Sequence, residues 1–203
     1  MALGDPYATL AELKLRVGGV ADAAQDAALN NALAVATSGI NSICGRQFNK
    51  TTTASARVFY PRTQRRALVD DFHTITDLAI KIDTGDTGTY DLTLTSSQYQ
   101  LEPLNGVVDG ESGWPYWVIR TLQGTVFPCN QRAPLQVTAQ WGWTAVPPGV
   151  KEACLMVSEE TYALKDTRFG VGGVAEWGTI RVRANPMAMS MISKYILDPV
   201  KMA

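Results

Sequence analysis

Between residues 135 and 165 the hydrophobic pattern changes its period within a few positions, and that change constrains everything the chain can become. Leu135, Val137, Ala139 and Trp141 alternate with Gln136, Thr138 and Gln140, the two-residue repeat of a strand with one buried face. From Val150 onward the apolar residues Val150, Cys154, Val157 and Leu164 recur at helical spacing, with Thr161 on the same stripe. Val146-Pro147-Pro148-Gly149 separates the two patterns. Proline fixes φ and donates no N–H, so it ends the strand and then suits a first helical turn, where the amide would lack a partner anyway. A strand therefore passes directly into a long helix over residues 147–165.

Helices also open the chain. Thr9 is placed to cap a helix over residues 10–17, with Glu12 in its first turn and Gly18-Gly19 beyond its end. A second helix is expected from Asp22 to Cys44, where Leu29, Leu33, Ala36, Ile40 and Ile43 step by four, three, four and three. Gly45 suits a left-handed stop. The face with Ala23, Ala24, Ala27, Ala28 and Ala32 is small enough to admit a close neighbour, which makes Ala28 and Ala32 candidates for a subunit contact.

From residue 56 to 143 the sequence reads as strands and turns, with strands expected at 57–60, 78–82, 90–94, 99–101, 116–119 and 135–141. The stretch 107–114 reads as a surface loop. Residues 168–178 hold four glycines in RFGVGGVAEWG, too many for regular structure, and an extended piece at 179–182 and a helix over 186–197 follow. The expected class is α+β. A helical bundle, made of an N-terminal hairpin (7–48), the long helix and a C-terminal helix within a flexible tail (166–203), carries an inserted antiparallel β module (56–143) in one domain.

Composition narrows the function. A net charge of −1 gives no broad positive field for gripping nucleic acid by its phosphates. Three widely spaced cysteines form no CxxC pair and point to a reducing compartment. The N-terminus has no basic start followed by an apolar run, and no stretch of about 18 apolar residues occurs, so a soluble, unexported chain without membrane contact is expected.

Several short motifs suggest chemistry and are weaker than they look. Asp83-Thr84-Gly85 and Asp86-Thr87-Gly88 repeat the aspartic-protease triplet, but that mechanism needs two carboxylates on separate facing loops; a hairpin turn explains their Asp, Thr and Gly content. Calcium at Asp83, Asp86 and Asp91 lacks the EF-hand spacing. Gly110-Glu111-Ser112-Gly113 follows the single histidine, His73, in the order of a serine protease, without the surrounding sequence, and His73 itself reads as a partly exposed loop residue. Gly170-Val171-Gly172-Gly173 lacks the Lys-Ser or Lys-Thr ending of a phosphate loop. No catalytic residue, cofactor or metal site is expected. Trp114, Tyr116, Trp117, Trp141 and Trp143 offer a rival reading as a small-ligand or carbohydrate module. Arg62, Arg65 and Arg66 could meet phosphate or an acidic neighbour. Phe169, Trp177, Met187, Met191 and Tyr195 form an apolar set in the tail suited to docking on a second surface.

Two stretches carry a family resemblance. YATLAELKLRVGG with DAALNNALAVATSGINSICGRQF at the start, and WGWTAVPPGVKEACLMVSEETYAL later, resemble the head-to-tail connector (adaptor) proteins of long-tailed bacteriophages. The resemblance implies a structural virion protein without enzymatic activity, made in the host cytoplasm. It would form a homo-oligomeric ring, typically of twelve, between the portal protein and the next connector, stopper or tail-terminator protein, with DNA passing through without specific binding.

Overall fold

The computed structural model describes residues 2–19, 23–129, 132–164 and 182–197. Two compact units divide the chain: residues 3–48 with 146–203, and residues 49–145.

The helical unit begins with α1 (Leu10–Arg16). The Thr9 hydroxyl accepts from the Glu12 N–H, and the Glu12 carboxylate accepts from the Thr9 N–H at 2.8 Å, a reciprocal capping box. Lys151 reaches the same carboxylate and, with Thr9, holds it below the ordinary glutamate range. Arg16 ties α1 to α3 (Pro148–Ala163) through Glu152 at 2.5 Å and Glu159 at 2.7 Å. Exposed pairs of this kind are worth about 0.2–1 kcal/mol each. Burying Leu13 completely is worth about 1.5–3 kcal/mol, so the leucine holds α1 down and the ion pairs orient it.

A 3-10 turn (Ala23–Gln25) leads into α2 (Asp26–Cys44); the expected start at Asp22 lies outside the described residues. Gly45 ends the helix at φ 63° and donates to Asn41 O, the left-handed cap its position called for. Leu29, Leu33, Ala36 and Ile40 are buried, and so are Ala32, Val35 and Thr37, a wider stripe than the expected seam. Against it α3 packs Val150, Ala153, Cys154, Val157 and Ser158. Ser158 Oγ donates to Cys154 O at 2.6 Å, which satisfies the one hydroxyl this apolar contact encloses on α3. Pro148 stands in the first turn as expected. Asn185 caps α4 (Pro186–Ile192), which continues only as a 3-10 turn (Ser193–Tyr195), so the expected helix over 186–197 is shorter. Ala188 and Ile192 bury against the helical unit, α4 lying on α3.

The second unit is an antiparallel sheet built on β2 (Arg66–Ile82), 17 residues long. Strand order is β1 (Ser55–Phe59), β8 (Leu135–Trp141), β2, β7 (Tyr116–Thr121), β4 (Tyr99–Glu102), with β3 (Leu92–Thr93) also on β2. The first part of β2 pairs with β7, from Arg66↔Arg120 to Phe72↔Tyr116, and the second with β8, from Phe72↔Trp141 to Ile82↔Leu135. Between the two parts the register slips twice and Asp77 takes φ 58°, the irregularities that bend a strand. Ala67, Val69 and Phe72 from one part and Ile80 and Ile82 from the other then share a core with Ile119, Leu135, Val137, Ala139 and Trp141.

The alternation along β8 is as expected, with Leu135, Val137, Ala139 and Trp141 buried. Elsewhere the strands differ. Of β2 only its end, 78–82, was expected, and the strand expected over 90–94 shortens to β3. The expected loop 107–114 contains a two-stranded ribbon, β5 (Val107–Val108) and β6 (Glu111–Ser112), joined by Asp109 and Gly110 at φ 51° and 82°. Positive φ at both central residues is what a tight hairpin of this twist requires.

The β unit starts and ends at one point. Trp143 N–H donates to Asn49 O at 3.1 Å, Gly142 N–H to Asp71 O at 2.6 Å, and Lys50 bridges to Gly142. Gly142 has φ 96°, and a Cβ there would lie 1.7 Å from Asn49 O. Gly124, at φ 78°, faces open space. Gly142→Ala is therefore expected to destabilise the protein by about 4 kcal/mol or more, or to prevent folding. Gly124→Ala should cost only about 1–2 kcal/mol for its backbone conformation. Urea unfolding of the two variants checks the difference.

Candidate functional site

Of the residues that suggested catalysis, Asp83 and Asp91 are engaged in holding a loop. Asp83, 2% exposed, follows the end of β2 and points its carboxylate into its own turn. It accepts from Gly85 N–H at 3.2 Å, Thr87 N–H at 3.2 Å and Gly88 N–H at 2.7 Å. Asp91 accepts from the Thr84 N–H and hydroxyl at 2.9 and 2.6 Å, and those bonds hold its carboxyl below the ordinary range. Each aspartate closes one side of the loop from residue 83 to 91, the turn expected from its composition. Among the described residues no group of three or more histidine, cysteine or acidic side chains is arranged to hold a metal ion.

Ser112 stands exposed on the β5–β6 ribbon, whereas His73 lies within β2. The expectation of a loop position for His73 is therefore corrected: it occupies the strand, and its Nδ1 is buried. Burial, then the nearby Lys50 charge, push its pKa down. The two buried thiols are likewise unlike nucleophiles. Burial pushes Cys44 up to about 12 and also raises Cys154, so neither carries thiolate near neutral pH.

Three of the four tryptophans proposed for ligand stacking belong to the interior, and Trp117, like Tyr116, is half-buried. Trp141 and Trp143 are 1% and 3% exposed and Trp114 is 8%. Trp141 Nε1 donates to Ser55 O at 2.9 Å, Trp143 Nε1 to the Asp71 carboxylate at 2.9 Å, and the Trp114 and Trp143 rings lie 5.1 Å apart. Their polar edges and their faces are thus taken up by the fold.

The candidate contact residues divide in the same way. Ala32 is 1% exposed and its carbonyl lies 3.4 Å from Ser158 Oγ; it belongs to the helical core, and its assignment to a subunit contact is corrected. Ala28, one turn earlier, is half-buried. Tyr195 is also interior, 6% exposed and edge-on to Phe48 at 5.6 Å, with Phe48 in turn edge-on to Tyr7 at 5.6 Å. That aromatic stack was not legible in the sequence because its members are far apart in the chain. Met191 is partly buried and Met187 is 60% exposed. Phe169, Trp177, residues 170–173 and residues 179–181 of the expected extended piece lie outside the described residues; the last residue of that piece, Val182, is helical and buried, which corrects the expectation there.

Arg62 and Arg65 are exposed on the turn between β1 and β2, and Arg66 begins β2. Arg66 and Arg120 lie 3.6 and 3.7 Å from the same Glu102 carboxylate. Among the described residues selected as contact candidates, Arg62, Arg65 and Met187 are thus the exposed ones. No described helix is long and apolar enough to cross a membrane.

No protein-family model matches the chain, and no curated protein matches it. Solved structures do. A chain from the neck of an empty GTA (gene transfer agent) particle, computed with C6 symmetry, superposes with a TM-score of 0.58 at 19% identity, covering 98% of this chain and 93% of that one. A chain from the neck of a native GTA particle, computed with C12 symmetry, gives 0.53 at 16% identity over 93% of this chain and 88% of that one. The chain shares their fold. The likeness runs through the helices and the inserted sheet alike, because either unit alone is much shorter than the matched length.

Replacing Ala32 by Glu puts a carboxylate into the α2–α3 contact without a partner, and an unpaired buried charge costs about 3 kcal/mol or more. Ala32→Glu should therefore unfold the protein at lower urea than Ala28→Glu does. Asp83→Ala strands three N–H groups and is expected to cost about 1–3 kcal/mol. Ser112→Ala should change stability by less than about 0.5 kcal/mol. Thermal and urea melts of the four variants test these orders.

Proposed function

We propose that this protein is a structural subunit of the head-to-tail junction of a phage-like particle, without enzymatic activity. It assembles as a ring of copies, twelve in our reading, between the portal and the next connector, stopper or tail-terminator protein, and leaves a channel through which DNA passes. The observation that carries this reading is the fold shared over 98% of the chain with a neck component of such a particle. The C12 symmetry of the second similar structure supports the ring number.

The physical character of the chain fits the role. A net charge of −1 does not create the positive field that would hold passing DNA. The groups that resembled catalytic residues are spent on turns and strands, and the exposed arginines and apolar residues are features of an interface more than of a reaction centre.

The test is genetic and visual. Removing the gene from a producing host is expected to yield heads and tails that fail to join, with joining restored when the gene is supplied separately. Electron microscopy of particles bearing a tagged copy should show the tag at the neck. Normal tailed particles without the gene, or a tag elsewhere, would overturn the proposal.

A further inference from the structure

The β unit carries two charged, partly apolar poles at opposite ends of β7. At one end the turn between β1 and β2 is folded on Thr63, whose Oγ1 accepts from the Arg65 and Arg66 N–H groups at 3.3 and 3.0 Å. Thr121 N–H donates to Arg65 O and Phe127 N–H to Gln64 O, fastening this turn to the loop after β7. Arg66 and Arg120 face each other directly across β2 and β7. Like charges in that relation repel, and both guanidinium groups lie near the Glu102 carboxylate. With Arg65 exposed beside them, this end is positive. Tyr60 and Val126, 59% and 48% exposed, add apolar surface there.

At the other end the β5–β6 ribbon stands just before β7, its base fixed by Trp114 N–H donating to Gly106 O at 3.0 Å. Asp109 and Glu111 are exposed at its tip, and Leu104 and Val107 are 58% and 41% exposed alongside. From Tyr116 to Arg120 the strand alone advances about 13 Å at ~3.3 Å per residue. That exceeds the screening length of about 8 Å in physiological salt, so the two poles do not neutralise each other within one chain.

We propose that these poles are the two halves of one contact between successive copies of this chain, the arginine turn of one copy seating against the acidic ribbon of the next. Such a contact is head-to-tail: each copy offers both surfaces, and repetition closes into a ring when the rotation between copies divides the circle. An apolar centre from Tyr60, Val126, Leu104 and Val107 with a charged rim has the composition of a protein interface. The rim charges set orientation and speed of encounter, and the apolar centre holds the contact. The proposal rests on the ring reading above and specifies which surfaces meet.

Sedimentation of the purified full chain at low ionic strength tests it. The wild-type chain is expected to assemble, and to do so less as salt is raised. Arg62→Glu with Arg65→Glu should abolish assembly, and so should Asp109→Asn with Glu111→Lys; asparagine is chosen at 109 because it tolerates positive φ. Combining all four should restore it, since each reversed turn then meets a reversed ribbon. Where the glutamate reversal impairs folding by circular dichroism, Arg65→Gln is expected to lower the assembled fraction in a folded chain. Assembly that ignores the reversals, failure of the fourfold variant to recover, or a wild-type chain that stays monomeric would overturn the proposal. So would reversals that leave assembly intact and remove only retention of duplex DNA. A tagged protein found at the neck while these substitutions have no effect would overturn this contact and leave the ring reading standing.

Discussion

One strand has to serve two pairings, and the β unit depends on how it does so. β2 is paired with β7 in its first part and β8 in its second. A straight strand of that length would put Ala67 and Ile82 roughly 50 Å apart at ~3.3 Å per residue, too far to share a core. The slips after Phe72 and the left-handed Asp77 bring them together. Phe72 pairs with Tyr116 on one side and Trp141 on the other and is fully buried. The polar residues that make the bend possible, from His73 to Asp77, are also those that spoil the alternation of an ordinary strand.

The helical unit follows a different economy. Its buried surface on α2 and α3 is supplied by small and medium side chains. Thr37 and Ser158 are buried and both are engaged: Ser158 with the Cys154 carbonyl, Thr37 with the Tyr7 N–H at 3.2 Å. Tyr7 goes further, its hydroxyl accepting from the Phe48 N–H at 3.0 Å and donating to Asn41. Burial raises the Tyr7 pKa well above the ordinary range, so the hydroxyl stays neutral and keeps its proton as a donor. The N-terminal arm is thereby fastened to the end of α2 through one ring.

Much of this was legible from local rules. The Thr9 cap, the Gly45 stop, the Pro148 start and the β8 alternation each follow from a residue whose own conformation or period allows little else. The first part of β2 was not, because LVDDFHTITD places charged and polar residues where a two-residue period should show apolar ones. Ala32 was misplaced for a related reason: alanine marks close packing without saying whether the close neighbour is in the same chain, and here it is α3. Trp114 and Trp143 looked like ligand platforms because nothing in the sequence reveals that each faces the other. For the candidate contact surface, the arginine turn was visible as a cluster. Its counterpart on the ribbon was hidden in what read as loop, and only strand register sets the two at opposite ends of β7.

The tie between Asn49 and Trp143 has an evolutionary consequence. A segment whose two ends meet resembles, to the rest of the chain, a short closed loop whatever its own length, and loop closure is only weakly length-dependent. The sheet can accordingly be enlarged, trimmed or replaced by recombination while the helices keep their packing, provided that the junction at Gly142 is kept. A lineage diversifying under pressure to fit new neighbours would be expected to accumulate its changes between residues 49 and 145 and to spare the positions that bring the ends together.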